Sequence, residues 1–406
     1  MNTEKRQQIS QVLGGMGEEL DITQKQYEDA VESYKAVGDW LSRDGSPLAS
    51  YKPEILPQGS FLLGTMIKRV HEKDHVDIDL VCRLSGLTNG WTAYNVKKAV
   101  GDRLKDNGTY AGMMLPEGRR CWTLQYVEDR GFHMDILPSL VGENYFVLME
   151  RKFSDVEMEN VRSLAIYITD NKHYNYYTST NPLDWPLSNM FGFASWFKYR
   201  SQVTIRKSFS LNESVKPVPA FNRNKLPLQQ IVQILKRHRD IMFDGDDNKP
   251  ISIIITTLAA LAYNGETDIL TGLQNVVTTM HNHIERRYIP GAGKYHWWIP
   301  NPVNLTENFA DKWVDCREKE DNFWKWLKQV SADVTAIADQ DNVPSLKKSM
   351  ERPFGDQLVK SVFEQAGHAT RGLRESGALY MSAGTGRLGT SGRTSVPNHN
   401  NFGRRE

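Results

Sequence analysis

Gly59-Ser60-Phe61-Leu62-Leu63-Gly64-Thr65, followed by Val76-Asp77-Ile78-Asp79-Leu80-Val81-Cys82, is the stretch that decides the fold. The second half alternates apolar and polar residues, which predicts a strand. Side chains two apart on a strand point to the same face. Asp77 and Asp79 therefore project together, with Val76, Ile78 and Leu80 packed behind them. A third carboxylate, Asp135, lies in Phe132-His133-Met134-Asp135-Ile136, another predicted strand. An Asp flanked by apolar residues needs a partner. Neighbouring carboxylates repel and raise one another's pKa. Divalent cations remove that cost, and magnesium favours a few carboxylates plus phosphate oxygens. Two such ions about 3.5–4 Å apart can clamp the attacking and leaving oxygens of a phosphoryl transfer. Gly59-Ser60 supplies the complement. A glycine lets the backbone approach a phosphate, successive N–H groups form an anion nest, and the Ser hydroxyl adds a donor. Taken singly, a Gly-Ser is usually a turn and an Asp-x-Asp a solvated edge; their order together carries the reading.

The rest of the composition is that of a folded enzyme. The chain has 406 residues, 39% hydrophobic and 24% charged, enough for two domains without disulfides or a structural metal. Fifty Lys+Arg against 49 Asp+Glu leave a formal charge of +1. That excludes the broad basic footprint of a general duplex binder, so no stable DNA binding is expected; a local basic cleft stays open. Cys82, Cys121 and Cys316 lie far apart with no CxxC, which argues against a disulfide framework and a cysteine zinc site and for a reducing compartment. The polar N-terminus has no apolar signal region. The most apolar run, Ile251 to Tyr263, is shorter than the roughly 18 residues a membrane span needs. It reads as a buried helix, and the expected location is cytoplasmic.

Along the chain, Thr23 to Leu41 reads as a helix ended by Asp44-Gly45-Ser46-Pro47. A short helix is predicted over Leu62 to Lys68, another over Tyr94 to Leu104, and strands over Cys121 to Tyr126 and Gly131 to Leu137. Pro217, Pro219 and Pro227 mark an inter-domain linker. Helices follow over Leu228 to Met242 (amphipathic), Ile251 to Tyr263, Leu270 to Arg286 and Phe323 to Ile337. Ala383 to Gly392 is too poor in apolar residues to offset its chain entropy and reads as disordered. His71 and His75, at metal-ligand spacing, read as solvated loop residues. Tyr174, Tyr176 and Tyr177, like Trp185 and Trp297-Trp298, fit packing as well as base stacking.

The Gly59 to Thr65 turn, Asp77-Ile78-Asp79 and Met134-Asp135-Ile136 together resemble the active site of the polymerase-β-like nucleotidyltransferases. Ser188-Asn189, Lys236 to Asp240, Lys249-Pro250-Ile251-Ser252, Asn301-Pro302-Val303, Glu307-Asn308 and Trp313 narrow the resemblance to the bacterial cGAS/DncV-like group, which makes cyclic oligonucleotide second messengers for anti-phage defence (CBASS). The resemblance extends over most of residues 20 to 350. It implies an α+β fold: a nucleotidyltransferase core with a mixed sheet over residues 1–215, an OAS-like helical domain over 216–365, and a disordered tail over 366–406.

The resemblance further implies a cleft that binds nucleoside triphosphates such as ATP or GTP, with two magnesium ions (manganese a substitute). Asp77 and Asp79 would hold both ions, and Asp135 the catalytic one. Gly59, Ser60, Lys236 and Ser252 would grip the triphosphate. Lys236 reads equally as part of a solvated basic run, and Ser252 equally as a plain helix cap. The product is expected to be a cyclic di- or trinucleotide, with pyrophosphate released. The alternatives are linear oligonucleotide synthesis, nucleotidylation of RNA or protein, a binding module without catalysis, and a protein whose tail is the working part. Some family members are conjugated through the C-terminus by a partner of the same defence operon; here Gly403 is followed by Arg404-Arg405-Glu406, so conjugation at the glycine would require trimming.

Overall fold

The computed structural model describes residues 3–71, 76–85, 90–126, 131–141, 164–202, 224–383, 388–390 and 392–398. Pro217, Pro219 and the boundary expected at 215 lie outside them, as do His75 and residues 399–406; Pro227, expected to belong to the linker, is instead the first residue of a helix.

The first helices are α1 (Thr3–Leu20), α2 (Gln24–Ser42), α3 (Gly59–Leu63), α4 (Ala93–Lys105) and α5 (Gly108–Met113). Thr23 starts α2 with a capping box: its side chain accepts from Gln26 N, and the Gln26 side chain accepts from Thr23 N. Strands β1 (Glu54–Pro57), β2 (Val76–Leu84), β3 (Trp122–Tyr126), β4 (Phe132–Val141), β5 (Ile166–Ile168) and β6 (Leu187–Ser188) form one mixed sheet. β2 and β4 run parallel at its centre, and the remaining pairings are antiparallel.

Alternation sorts the two faces. Ile78, Leu80 and Cys82 of β2 pack with Met134 and Ile136 of β4 under α2 and α4. Val81 and Leu137 point the other way, toward Phe191. The carboxylates expected to act share that second face.

A helical half follows: α6 (Met190–Ser201), α7 (Pro227–Met242), α8 (Ser252–Ala262), α9 (Ile269–Thr279), α10 (Arg317–Ala338), α11 (Val343–Phe354) and α12 (Asp356–Glu375). α7 is its axis. It was expected to be amphipathic, yet residues 230 to 239 are buried on every side. Gln229, Gln233, Lys236 and Arg237 face the other half, while Gln230 and His238 bond to Gly14 and Asp333 within the helical half.

Several expectations are corrected. α1 went unread, because Gly14, Gly15 and Gly17 lower helix propensity. Its Ile9, Leu13, Met16 and Leu20 lie in the core of the helical half, not the catalytic half. Gly17 lets α7 close in: a β-carbon there would lie 2.8 Å from the Gln230 side chain. The short helix expected over Leu62 to Lys68 is α3, which starts at Gly59 and ends where Gly64 turns left-handed at φ 66.

The helix expected over Leu270 to Arg286 stops at Thr279. β7 (Glu285–Ile289) and β8 (Lys294–Trp298) then form a hairpin, around a Pro-Gly turn that suits a strand connection better than a helix. Asn301, Glu307 and Asn308 brace the next loop: Asn301 Nδ2 donates to Glu307 at 2.7 Å, and Asn308 Oδ1 accepts from Ile299 and Ala310. α12 runs past residue 366, where the tail was expected to begin. Beyond it Tyr380–Met381 pairs with Leu388–Gly389 and Thr394–Ser395. Among the described residues no helix is long and apolar enough to cross a membrane.

Candidate active site

Register brings the carboxylates together. β2 and β4 pair so that Asp79 lies beside Asp135 and Asp77 beside His133. Asp77 is exposed at the strand's start, while Asp79 and Asp135 are half-buried. His133 Nδ1 lies 3.6 Å from Asp77 Oδ1. Thr123, opposite Asp135 on β3, donates its hydroxyl to Asp135 Oδ1. Sequence reasoning missed both neighbours; only the strand register reveals them.

The turn after β1 is fastened to the same strand. Gln58 N donates to Asp79 O at 2.8 Å. Gly59 has φ +56, and a β-carbon there would collide with the Asp79 carboxylate. Glycine is thus required for backbone conformation and for space. Thr65 N donates to Ser60 O at 2.9 Å and folds the segment back beneath the turn.

The helical half grips that segment through main-chain carbonyls. Gln229 donates to Leu63 O, Gln233 to Met66 O, Lys236 to Thr65 O, and Arg237 to Lys68 O, at 2.7–2.9 Å. Of these residues the sequence singled out Lys236 as a candidate. Glutamine on a helix face ordinarily reads as solvent-exposed, so Gln229 and Gln233 gave no signal. Below them Lys225 pairs with buried Asp21 at 3.1 Å.

A cavity of about 600 Å³ opens between the halves. Gly59, Ser60, Asp77, Asp79, Lys236 and Ser252 all line it. Asp135 stands next to Asp79 on the adjoining strand. All seven candidates from the sequence are therefore drawn to one place. Of the histidines set aside, His71 pairs with Asp244 across the cleft at 2.9 Å. Tyr176 and Trp185 are core residues, whereas Tyr174 is 84% exposed.

Electrostatics link the two walls. Burial, then the charges of Asp135 and Asp77, push the Asp79 carboxyl up to about 7, against the pull of Lys236. Burial and the charge of Arg239 bring the Lys236 ammonium down to about 8; Asp240, Asp79 and Asp77 oppose them. The donor set suits a hard divalent cation: oxygen ligands alone, in mutual repulsion, beside a phosphate-sized nest. Among the described residues, no three acidic, His or Cys side chains already converge as a closed ligand set. Asp79 and Asp135 stand on neighbouring strands, roughly 4.8 Å apart by sheet geometry, with Asp77 two residues before Asp79 on the same strand.

Residues 53–138 match the family model described as "Cyclic GMP-AMP synthase DncV-like, nucleotidyltransferase domain". A c-di-GMP synthase of Roseivirga ehrenbergii is 27% identical over 381 residues, covering 93% of this chain and 92% of that one. Cyclic dinucleotide synthase CdnG of Bradyrhizobium diazoefficiens is 23% identical over 94% of this chain and 91% of its own. The solved structure of that CdnG in complex with GTP superposes with a TM-score of 0.63 at 18% identity, over 89% of this chain and 99% of that one. The family-model match falls on the turn and the carboxylate strands, so residues 53–138 are similar to a DncV-like nucleotidyltransferase domain and the chain is an enzyme; its likeness in fold to CdnG continues through the helical half.

Proposed function

We propose that this enzyme condenses two ribonucleoside triphosphates, GTP foremost, into a cyclic dinucleotide and releases pyrophosphate at each step. The observation that carries the reading is the cavity in which Gly59-Ser60 and Asp77/Asp79 face Lys236 and Ser252. The name of the c-di-GMP synthase and the GTP in the CdnG structure support guanosine as the base.

Gly59 and Ser60 receive the triphosphate through backbone N–H groups and the Ser hydroxyl. Lys236 contributes a buried positive charge and Ser252 a hydroxyl donor. Magnesium ions held by Asp77, Asp79 and Asp135 would neutralise charge on the transferring phosphate and acidify the attacking hydroxyl. Asp135, steadied by Thr123, accepts the ribose hydroxyl proton. The ribose oxygen bonds to the α-phosphorus, the bond to the β-phosphate bridging oxygen breaks, and pyrophosphate leaves. A second transfer within the linear dinucleotide closes the ring. Burial in the cleft positions the reactants and excludes water, the main sources of rate in such a site. On the family resemblance, the messenger serves anti-phage defence.

Incubation with magnesium and all four ribonucleoside triphosphates, then phosphatase and mass spectrometry, tests this. A phosphatase-resistant mass equal to cyclic di-GMP is expected. Products that phosphatase degrades, or transfer to RNA or protein, would overturn the cyclic assignment.

A further inference from the structure

We propose that Arg239 is a positioning residue for nucleotide binding: it occupies a lone pair of the Ser252 hydroxyl and so directs the hydroxyl proton to the triphosphate. The inference rests on the reading that the triphosphate lies against Ser252.

Arg239 is buried on α7 at 7% exposure. Its Nε donates to Asp240 Oδ1 at 2.8 Å, and Nη2 lies 2.7 Å from the same oxygen. That fixes the guanidinium plane. Nη1 then donates to Pro250 O at 3.1 Å and to Ser252 Oγ at 2.8 Å. Lys249 Nζ lies 3.6 Å from Asp240 and helps hold the carboxylate in place.

Ser252 is the first residue of α8. The preceding cap residue, Ile251, makes no side-chain capping bond. A serine in the first turn has no carbonyl one turn earlier in the helix to receive its proton. Arginine has donors and no acceptor, so the bond to Ser252 can run only from nitrogen to oxygen. The hydroxyl proton is left to point elsewhere, and Ser252 borders the cavity. Donation from a cation also polarises the hydroxyl and strengthens it as a donor. A lysine at 239 keeps the charge but cannot span Asp240, Pro250 O and Ser252 in one plane.

The test is calorimetric titration of the full chain, in magnesium, with guanosine 5′-(α,β-methylene)triphosphate, which cannot transfer its nucleotidyl group. Arg239→Lys and Ser252→Ala are each expected to weaken binding about tenfold, the size of one hydrogen bond to a charged group. Arg239→Lys added to Ser252→Ala should weaken it no further, within about twofold, because the hydroxyl it aims is gone. In a Ser252→Thr background, which keeps a hydroxyl, the Arg239→Lys effect should return. Melting temperatures check that each variant folds, and Arg239→Gln is a second variant for the cycle.

Additive losses near a hundredfold would overturn the proposal, since Arg239 would then act on phosphate directly or as a general brace. An Arg239→Lys variant that binds like the wild type would overturn it too. A wild type that binds no nucleotide would bring down the functional reading and this inference together; a wild type that binds while the cycle is additive overturns only the inference.

Discussion

Lys236 of α7 donates from Nζ to the main-chain carbonyl of Thr65 at 2.9 Å, joining the helical half to the segment that carries Ser60. One buried side chain thus does two things: it fixes the phosphate turn and holds a positive charge against the cavity. Burial draws its ammonium down to about 8. A bound triphosphate favours the charged form, so nucleotide binding takes up protons near and above that pH. Calorimetry at about pH 8.5 in buffers of unlike ionisation enthalpy should show net uptake that Lys236→Met abolishes. Equal uptake in both proteins would contradict this assignment.

Gly59→Ala places a β-carbon against the Asp79 carboxylate at a left-handed residue. Turnover should fall at least about a hundredfold, with about 1–3 kcal/mol lost from stability. Gly45→Ala is the control. Gly45 also has positive φ (+80), but nothing lies within 4 Å. It should lose a comparable backbone term while turnover stays intact.

Asp79→Asn should stabilise the metal-free protein at neutral and higher pH while removing activity. Burial and two like charges raise the folded-state pKa of Asp79 to about 7 from 3.8. Between those values the folded chain keeps a proton that the unfolded chain releases, so stability falls as pH rises through the window and the full cost is present above it. Chemical denaturation with chelator at about pH 8 should show the variant more stable, on the order of 2 kcal/mol, with the gap closing toward pH 4. A gap that widens on acidification would reverse the sign and refute the argument.

Gln233 is fully buried and donates to Met66 O at 2.7 Å and to Asp21 Oδ1 at 3.3 Å. Gln233→Leu leaves that carbonyl unmatched and should cost about 1–3 kcal/mol. Because Met66 lies in the segment braced behind Ser60, the apparent KM for the triphosphate should rise as well. A stability loss with unchanged KM would mean that the clasp does not position the turn.

How much of this was legible depends on the range of the interaction. Strand alternation at Asp77 and Asp79 is local, so the sequence displays it. The isolated carboxylate in Met134-Asp135-Ile136 is local too, and its place in order after Gly59-Ser60 and the Asp pair joined it to them. The register that sets Asp79 beside Asp135, and Thr123 against it, is a pairing between distant segments and has no local signature. Gln229, Gln233 and Arg237 were illegible for a different reason. Polar residues on a helix ordinarily face water, and here they meet carbonyls of the other half. α1 was hidden by its glycines although Ile9, Leu13, Met16 and Leu20 keep helical spacing. The helix expected to reach Arg286 overran Thr279, because Met280 and Ile284 continue the apolar spacing while the pairing of β7 with β8 has no local signature.

The most direct measurement is pyrophosphate release from the four ribonucleoside triphosphates in magnesium by wild type and Asp79→Asn, with nucleotide binding measured on the same folded samples. The account predicts release by the wild type and a loss of at least about a thousandfold in the variant, while the variant still binds nucleotide, because Asp79 serves the transfer itself. A variant that is folded, binds nucleotide and releases pyrophosphate at the wild-type rate would contradict the assignment of these carboxylates as the catalytic centre.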